Sequence, residues 1–498
     1  MKKILQISSI LLLLITSVCL AQHRGDQFFY QGTDIPNSEG TRSLAMGGAF
    51  SAMTGDINSI YYNPAGLAEI NKITLSYYGN RDFNLWREYQ EYRPTSYFGT
   101  LSLFLEGLIK IGSYNDGVYD YIAYRDSAYV ITNPKMGVDP FSKDAADWQT
   151  ARTNYNPVNA AIAVPLHDFV QGLVFAASFN QNKVADFDRN NTYLAPNPGY
   201  TFYGSLPLAN GFGTQNVQWY RYNRIRNGNL NTMHFALSYK VNENLQVGLG
   251  AKYLWGSTDD NLGLNHYATI SLVNQNSYLI SLQKGLDTTT GTSKFKSLTT
   301  TLGVIASYSR FNFGISLNLP YEFTRDWSYR RNNTNRINFK DSTVITNTSG
   351  KDKLKMPVSF TIGLNYEATK KLNLACDVEV VPYGSSDFQL AQSDSFFQGW
   401  VNQIIWRVGV EFRPTKLLSL SAGYRVIPTS YVPDGAAIHD KGSVATSYTF
   451  GVGLNLFLGR FDFVYEFYNL KYNDSYYSNT NYNTQLSNRF TVGYTYAF

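Results

Sequence analysis

Two groups of arginines lie among aromatic residues and have the chemistry to bind an anionic ligand. The first group is Arg221, Arg224 and Arg226, and the second is Arg325, Arg330, Arg331 and Arg336. Arginine binds phosphate and carboxylate oxygens through two parallel hydrogen bonds, so either group could contact the phosphates of lipopolysaccharide. The alternative is a solvated loop with aromatic residues at a membrane interface. Both groups fall in or beside segments that we predict to be extracellular loops.

The sequence offers no candidate for catalysis or for metal binding. The five histidines are scattered, and none has a second His or Cys at metal-ligand spacing. Neither a nucleophile elbow nor a phosphate-binding loop occurs. A hydrolase site assembled from distant strands is the alternative, but no Ser, His and acid can be named for it. We therefore expect a protein that is not an enzyme and has no cofactor and no metal.

The N-terminus is typical of a secretory signal peptide. Lys2 and Lys3 precede an apolar stretch, and Ala21 offers a cleavage site, so residues 1–21 are predicted to be removed. A lipoprotein with Cys19 at its new terminus is the alternative, but Val18 is bulky for that position. Removal of the two lysines lowers the formal charge from +5 to +3, which argues against nucleic-acid binding. No later run of about 18 apolar residues occurs, so no helical membrane protein is expected.

The elements that would position these side chains are strands with a period of two. In the C-terminal region Tyr448, Phe450 and Val452 alternate with Thr449 and Gly451, and similar hairpins recur from residue 72 onward. One apolar face and one small or polar face are what a transmembrane β-barrel needs. Short turns alternate with long polar segments at 186–229, 258–290, 326–353 and 382–397, which we predict to be extracellular loops. About 16 alternating segments can be counted, although the pair at 97–111 is irregular.

The region before the strands is rich in small residues. It contains Met46-Gly47-Gly48-Ala49-Phe50 and, further on, Asn63-Pro64-Ala65. Glycine at this density allows close backbone packing. These residues resemble the hatch of the long-chain fatty acid transporter family of outer-membrane barrels (FadL-like). The resemblance implies an all-β transmembrane antiparallel barrel of 14 strands at 71–498 with an N-terminal plug at 22–70 in its lumen. A loose N-terminal arm is the alternative.

The resemblance also implies a function. A FadL-like protein takes up hydrophobic compounds such as long-chain fatty acids, shifts its plug, and releases the substrate sideways through the barrel wall near the third strand. The matching strand here is 172–188, where the pattern breaks at Asn180, Gln181 and Asn182 and predicts a kink. Two other functions stay open: a barrel that docks or shuttles partners in protein secretion, and a general porin.

The chain ends on Phe498, the last residue of an alternating apolar row. This row resembles the terminal signature that the outer-membrane barrel assembly machinery recognises. We therefore expect a monomer in the outer membrane whose partners are that machinery, the surrounding lipids and lipopolysaccharide, and a hydrophobic small molecule.

Overall fold

The computed structural model describes residues 28–33, 39–92, 138–194, 215–274, 277–281, 285–337, 340–392, 399–431, 443–476 and 479–498. The predicted signal peptide and the irregular pair at 97–111 lie outside these residues. No helix among the described residues is long and apolar enough to cross a membrane.

Fourteen antiparallel strands form one closed barrel, which confirms the predicted strand number. Eleven are continuous: β1 (Thr74–Tyr92), β2 (Trp148–Pro165), β3 (Leu173–Leu194), β4 (Gln215–Asn242), β5 (Leu245–Asn274), β6 (Gly285–Tyr308), β10 (Gln403–Phe412), β11 (Leu418–Pro428), β12 (Val444–Leu456), β13 (Gly459–Tyr476) and β14 (Asn479–Ala497). A short strand, Ser277–Ser281, pairs with the end of β5. Each strand pairs with the next, and β14 pairs with β1 from Thr74↔Ala497 to Tyr92↔Asn479.

Three strands are interrupted once: β7 (Phe311–Asn318 and Tyr321–Ile337), β8 (Lys340–Met356 and Ser359–Thr369) and β9 (Leu372–Val381 and Asp387–Gln389). A proline stands at each interruption, namely Pro320, Pro357 and Pro382. Proline has no N–H to donate to a ladder, so each interruption has a local cause.

The two faces of the barrel differ as the alternation predicts. The outer face carries exposed apolar side chains around the whole barrel, such as Leu75, Phe235, Val304, Ile362, Val408, Phe450 and Val492. The inner face carries small, polar and charged residues. We call the outer set the apolar belt; it lies at the end of the barrel where the short turns are, and it is typical of a barrel that crosses a membrane.

The predicted long loops are largely wrong, because strands β3 to β8 continue far beyond the apolar belt. They fill most of 258–290 and 326–353, and they include 186–194 and 215–229, while part of 382–397 is also strand. Residues 195–214 of the first predicted loop lie outside the described residues. Apolar–polar alternation marks only the part of a strand that faces lipid. Above the bilayer the outer face meets water, so backbone pairing continues without that signature. We call the parts of β3–β8 above the belt the tall wall.

An inner segment, Glu39–Ile70, lies inside the barrel. It contains a short helix α1 (Thr41–Ala45) and two 3₁₀ turns, Ile57–Tyr61 and Pro64–Glu69, and most of its residues are buried. Helix α1 packs against β11–β14, and Pro64–Glu69 packs against β3–β6 on the other side. A second piece, which we call the arm (Phe28–Thr33), lies among inward-facing side chains of the tall wall. Whether the segment acts as a plug, with the boundaries 22–70, stays a prediction.

Candidate functional site

Glycines on both sides bring the inner segment into contact with the backbone of the wall. Gly47 and Gly48 have φ angles of 66° and 78°, a region that favours glycine. A Cβ added to Gly423 of β11 would lie 2.1 Å from the Gly47 nitrogen, and one added to Gly303 of β6 would lie 2.1 Å from Asn63 Oδ1. The wall therefore touches the inner segment at distances that no other residue type permits.

The Asn63-Pro64-Ala65 motif connects the inner segment to β4 and β6. Asn63 Oδ1 accepts a hydrogen bond from the Ala65 nitrogen at 3.1 Å, which caps the second 3₁₀ turn. Asn63 Nδ2 donates to the carbonyl oxygens of Ser51 at 2.7 Å and Val304 at 3.2 Å. The Ala65 carbonyl accepts from Ser238 Oγ at 3.0 Å. The structure thus gives Asn63 and Ala65 structural contacts, while their role in a plug stays a prediction.

Buried charges fix the other side of the inner segment. Arg42 binds both carboxylate oxygens of Glu411 on β10, at 2.7 and 2.9 Å, and also binds Asp56 at 2.9 Å. Asp377 of β9 accepts hydrogen bonds from the Phe50 and Ser51 nitrogens, both at 2.9 Å. Removing one member of such a pair would leave an uncompensated buried charge, so these contacts hold the segment firmly.

The arm is held by one arginine and by aromatic packing. Arg226 of β4 is fully buried, binds Asp260 at 2.8 and 3.1 Å, and donates to the Phe29 and Gln31 carbonyl oxygens at 3.1 and 3.0 Å. Its guanidinium lies 4.9 Å from the centre of the Phe28 ring. Burial alone would raise the pKa of Asp260, but Arg226 and the hydroxyl donors Ser293 and Tyr329 lower it below its ordinary value.

The interpretation of the two arginine groups as surface features is therefore wrong for one buried member of each group. Arg226 and Arg325 point into the barrel, and Arg325 binds Asp352 of β8 at 2.5 Å. Arg224 is paired with Asp186 at 2.7 Å, and Arg331, which is half-exposed, is paired with Asp287. The side chains of Arg221 and Arg336 lie outside the described residues. The partners are carboxylates on neighbouring strands. They lie far from the arginines in the sequence and could not be identified from it.

A cavity of about 320 Å³ lies between the arm and the inner segment. We call it the chamber. Its upper wall is apolar and includes Leu230, Leu254, Phe323, Met356 and Trp400, and its floor includes Tyr61, Glu39, His234 and Lys252. His234 Nε2 lies 3.0 Å from Glu39 Oε2. The rest of the lining is largely polar, so the chamber has an apolar patch within a mixed lining. An apolar patch beside a set of polar groups can bind a molecule that carries both kinds of surface.

The barrel wall has a break between β2 and β3. Their pairing extends from Pro165↔Val174 to Asn159↔Asn180 and then stops, although both strands continue. Pro157 of β2 stands just beyond this point and has no N–H to donate. The Gln181 nitrogen donates instead to Asn159 Oδ1 at 3.1 Å, so a side chain replaces the next ladder contact.

Beyond the break, β3 bends inward over the inner face of β1 and β2. Phe187 points away from the arm and packs on Trp86 of β1 and Trp148 of β2, with ring centres 6.0 and 5.4 Å apart. A cavity of about 120 Å³ lies beside it, lined by Trp86, Lys183, Ala185, Arg425 and Arg489 among others. The exposed apolar residues Phe83 and Tyr155 of β1 and β2 lie past the break, so it begins within the apolar belt.

The break begins at Asn180, the first residue of the predicted kink. Asn180 Oδ1 accepts hydrogen bonds from the hydroxyls of Tyr61 and Tyr78 at 3.3 and 3.2 Å, and Asn182 lines the chamber. The functional role of Asn180, Gln181 and Asn182 stays a prediction. Sequence reasoning missed Pro157, although a proline three residues before the alternating residues Ala160, Ile162 and Val164 was an available signal. At the other end of the chain, the Phe498 nitrogen donates to the Ile73 carbonyl at 3.0 Å, and its role as an assembly signal also stays a prediction.

Comparisons with known proteins agree with this architecture. A family model described as BamG matches residues 212–473, just over half of the chain. A Pseudomonas aeruginosa FadL homologue is 14% identical with a TM-score of 0.59, over 93% of this chain and 99% of that one. The P. putida toluene transporter TodX is 12% identical with a TM-score of 0.52, over 92% and 97% of the two chains. The CymD monoaromatic hydrocarbon channel is 12% identical with a TM-score of 0.51, over 92% and 96%.

A search of curated protein sequences finds no match. At 12–14% identity the structural similarity shows the fold, which is that of the FadL-type barrels and confirms the resemblance seen in the sequence. The matched region 212–473 extends from just before β4 through β12 into β13 and includes neither β1–β3 nor the inner segment. The chain is thus an outer-membrane β-barrel of the FadL type, and it belongs to the BamG family.

Proposed function

We propose that this protein takes up hydrophobic compounds, long-chain fatty acids among them, across the outer membrane. The observation that carries the proposal is the apolar patch of the chamber, a cluster of aromatic and aliphatic side chains that faces the lumen of a barrel filled by an inner segment on the periplasmic side. Proteins of the same fold are described as a toluene transporter and a monoaromatic hydrocarbon channel, which supports the same class of substrate. A general porin needs an open aqueous lumen, whereas the lumen of this barrel is filled by the inner segment. The filled lumen favours a channel that binds its substrate during passage.

Entry into the chamber requires the arm to move. Tyr30 packs against Phe323, Phe388 and Trp400, with ring centres 5.3, 6.2 and 6.0 Å away. An apolar ligand that displaces the arm would cover the same aromatic side chains. Displacement of the arm would therefore expose little additional apolar surface to water. The ligand would then lie against the apolar upper wall of the chamber.

Release follows from a shift of the inner segment and exit through the wall. The floor of the chamber is made by Tyr61, whose hydroxyl binds Asn180 at the break between β2 and β3. A small movement of the first 3₁₀ turn would therefore open a path from the chamber to the break. Exit at this level delivers an apolar molecule into the bilayer without passage through the periplasm.

A cross-link across the break tests the route. In a Cys376→Ser background, Asn156→Cys with Lys183→Cys joins the residues that would face each other if the β2–β3 register continued. We expect the disulfide to abolish uptake of radiolabelled oleate into cells, and a reductant to restore it. The control is Ala160→Cys with Phe179→Cys, which joins residues already paired in the ladder. Full uptake by the oxidised Asn156–Lys183 variant would refute lateral exit.

Mass spectrometry of lipids extracted from the purified protein tests the chamber itself. We expect a bound fatty acid or similar hydrophobic molecule that is lost in Leu230→Gln, a change inside the chamber. Leu298→Gln, on the outer face of β6, is the matched control because Leu298 is 61% exposed. An empty chamber in the wild-type protein would favour the docking function in protein secretion, and high conductance in planar bilayers would favour a porin.

A further inference from the structure

The tall wall ends in an open strand edge on β8. The upper part of β8 pairs with β7 from Lys340↔Ile337 to Met356↔Tyr321 without a register shift. On its other side, β9 pairs only with Lys353, Leu354 and Lys355. Within the described part of the chain, no strand pairs with this second edge of Lys340–Asp352. Ala391 lies against the lower end of this edge, near Gly350 and Asp352. From Ser342 to Ser349 the backbone N–H and C=O groups on this side have no strand partner among the described residues and can pair with another strand.

The edge lacks the features by which proteins normally prevent such pairing. From Ser342 to Gly350 the sequence contains no charge, no proline and no bulge, and it is rich in Thr, Val and Ile. Residues 342–347 are all exposed, with Val344 at 59% and Ile345 at 50%. Natural edges are usually protected by charges, prolines, bulges or short length. A long, flat and β-branched edge in water fits the addition of a strand from another chain.

A second copy of this protein does not fit the edge. Two copies in one membrane have the same orientation, so their β8 strands would run in the same direction. A two-fold axis along the membrane normal would then place each residue of one β8 opposite the same residue of the other, with N–H facing N–H and C=O facing C=O. The opposite edge of the tall wall, on β3, bends into the lumen, where Phe187 packs on the inward-facing Trp86 and Trp148. Pairing of β8 with β3 of a second copy is therefore blocked as well.

The outer face beside the edge has a positive charge. Arg330 of β7 and Lys351 of β8 are exposed, and neither has an ion-pair partner among the residues that the structure describes. Asp326, which faces Lys351 across the ladder, supplies one negative charge in return. A partner strand that carries a carboxylate on this outer face would therefore be favoured.

We propose that Ser342–Gly350 of β8 binds an extended segment of another polypeptide, which adds a strand to the tall wall outside the membrane. The segment is β-branched and carries an acidic residue on the face that lies beside Arg330 and Lys351. This interaction is independent of the chamber and of uptake.

A labelled peptide tests the proposal. The probe is a fluorescein-labelled nonapeptide of alternating Thr and Val with a central Glu, titrated against the full protein in detergent and followed by fluorescence anisotropy. We expect saturable binding that is lost when every peptide nitrogen is methylated, because the methylated backbone cannot donate hydrogen bonds. A central Lys in place of Glu should weaken binding. Equal binding of the methylated peptide would overturn the proposal.

Two exposed substitutions complete the test. Ile345→Glu puts a negative charge on the outer face opposite the acidic residue of the probe, and we expect binding about threefold to fivefold weaker because the like charges repel. Leu286→Glu adds the same charge on the outer face of β6, two strands away, and should leave binding unchanged. Heat-dependent mobility on a gel checks that both variants are folded. Unchanged binding by Ile345→Glu, an equal loss in both variants, or a disulfide between two copies of Ser342→Cys would each refute the proposed partner.

Discussion

The arm and the inner segment come from the same N-terminal stretch and are buried in the same lumen, but they are held by different forces. The inner segment has buried ion pairs, such as Arg42 with Glu411, and backbone contacts opposite glycines of the wall. The arm has aromatic packing, the hydrogen bonds of Arg226, and one hydrogen bond from the Tyr30 hydroxyl to the Phe323 carbonyl oxygen. Aromatic contacts can be replaced by a ligand, whereas bidentate ion pairs and close backbone contacts have few substitutes. The difference indicates a movable arm above a fixed base.

The largest expected effect is the loss of the main ion pair of the inner segment. Arg42→Met keeps most of the side-chain volume but leaves Glu411 and Asp56 buried with fewer partners. We expect the free energy of unfolding to fall by about 3–5 kcal/mol, measured by denaturation in detergent. The paired change Arg42→Met with Glu411→Gln should recover part of the loss. Arg331→Met is the control: its pair with Asp287 is half-exposed and should contribute less than about 1 kcal/mol.

A smaller effect is expected from closing the space between Gly423 and Gly47. In Gly423→Ala the new Cβ would lie within 2.1 Å of a backbone nitrogen, so the inner segment must move away. We expect a loss of about 1–3 kcal/mol in unfolding free energy and a measurable conductance in planar bilayers. Gly250→Ala is the matched control, because the nearest atom to its Cβ would be 3.5 Å away. A Gly423→Ala variant with no conductance and with unchanged unfolding free energy would contradict the conclusion that the inner segment is fixed.

The arm should respond to acid only at low pH. The pKa of Asp260 is lowered in the folded protein, so its contribution is complete above the ordinary Asp value of about 4 and is lost as the pH falls through the folded value. We expect a fluorophore on Gln31→Cys, in the Cys376→Ser background, to stay immobile from neutral pH to about pH 5 and to become mobile below about 4. Asp260→Asn should remove this transition. A transition near neutral pH would require another titrating group.

The smallest effect on stability is expected from the aromatic side chains of the arm. Tyr30→Ala removes a contact with Phe323, Phe388 and Trp400 but leaves the barrel ladders intact. We expect the unfolding transition of the barrel to stay nearly unchanged, while the chamber binds the fluorescent probe N-phenylnaphthylamine more tightly. The control is Tyr155→Ala, an exposed change on the outer face of β2. Weaker probe binding by Tyr30→Ala would mean that Tyr30 helps to hold the ligand.

Much of the barrel could be predicted from the sequence. The alternation around Tyr448–Leu456 predicts a strand with one lipid face, and the structure has strand β12 there. The tall wall could not be predicted in this way. Its outward-facing residues, such as Thr292 and Asn332, are polar. The alternation of inward and outward side chains is therefore not visible there as an alternation of polar and apolar residues.

The site was harder to predict than the fold. The residues of Asn63-Pro64-Ala65 were recognisable, but Arg226 was assigned to a loop because its partner Asp260 lies 34 positions away on another strand. The break in the wall combines Pro157 and Asn159 on β2 with Asn180 and Gln181 on β3. Only the pairing of these strands brings the four residues together.

The sequence by itself determined the strand period, the apolar belt and the glycine-rich inner segment, because each depends on residues within a few positions of one another. The tertiary structure decided which charges are buried in pairs, where β3 leaves the wall, and that β8 has a free edge. These features depend on register between distant strands, and a shift of one residue would turn every side chain to the opposite face. Closure of the barrel sets that register, and no local pattern in the chain does so.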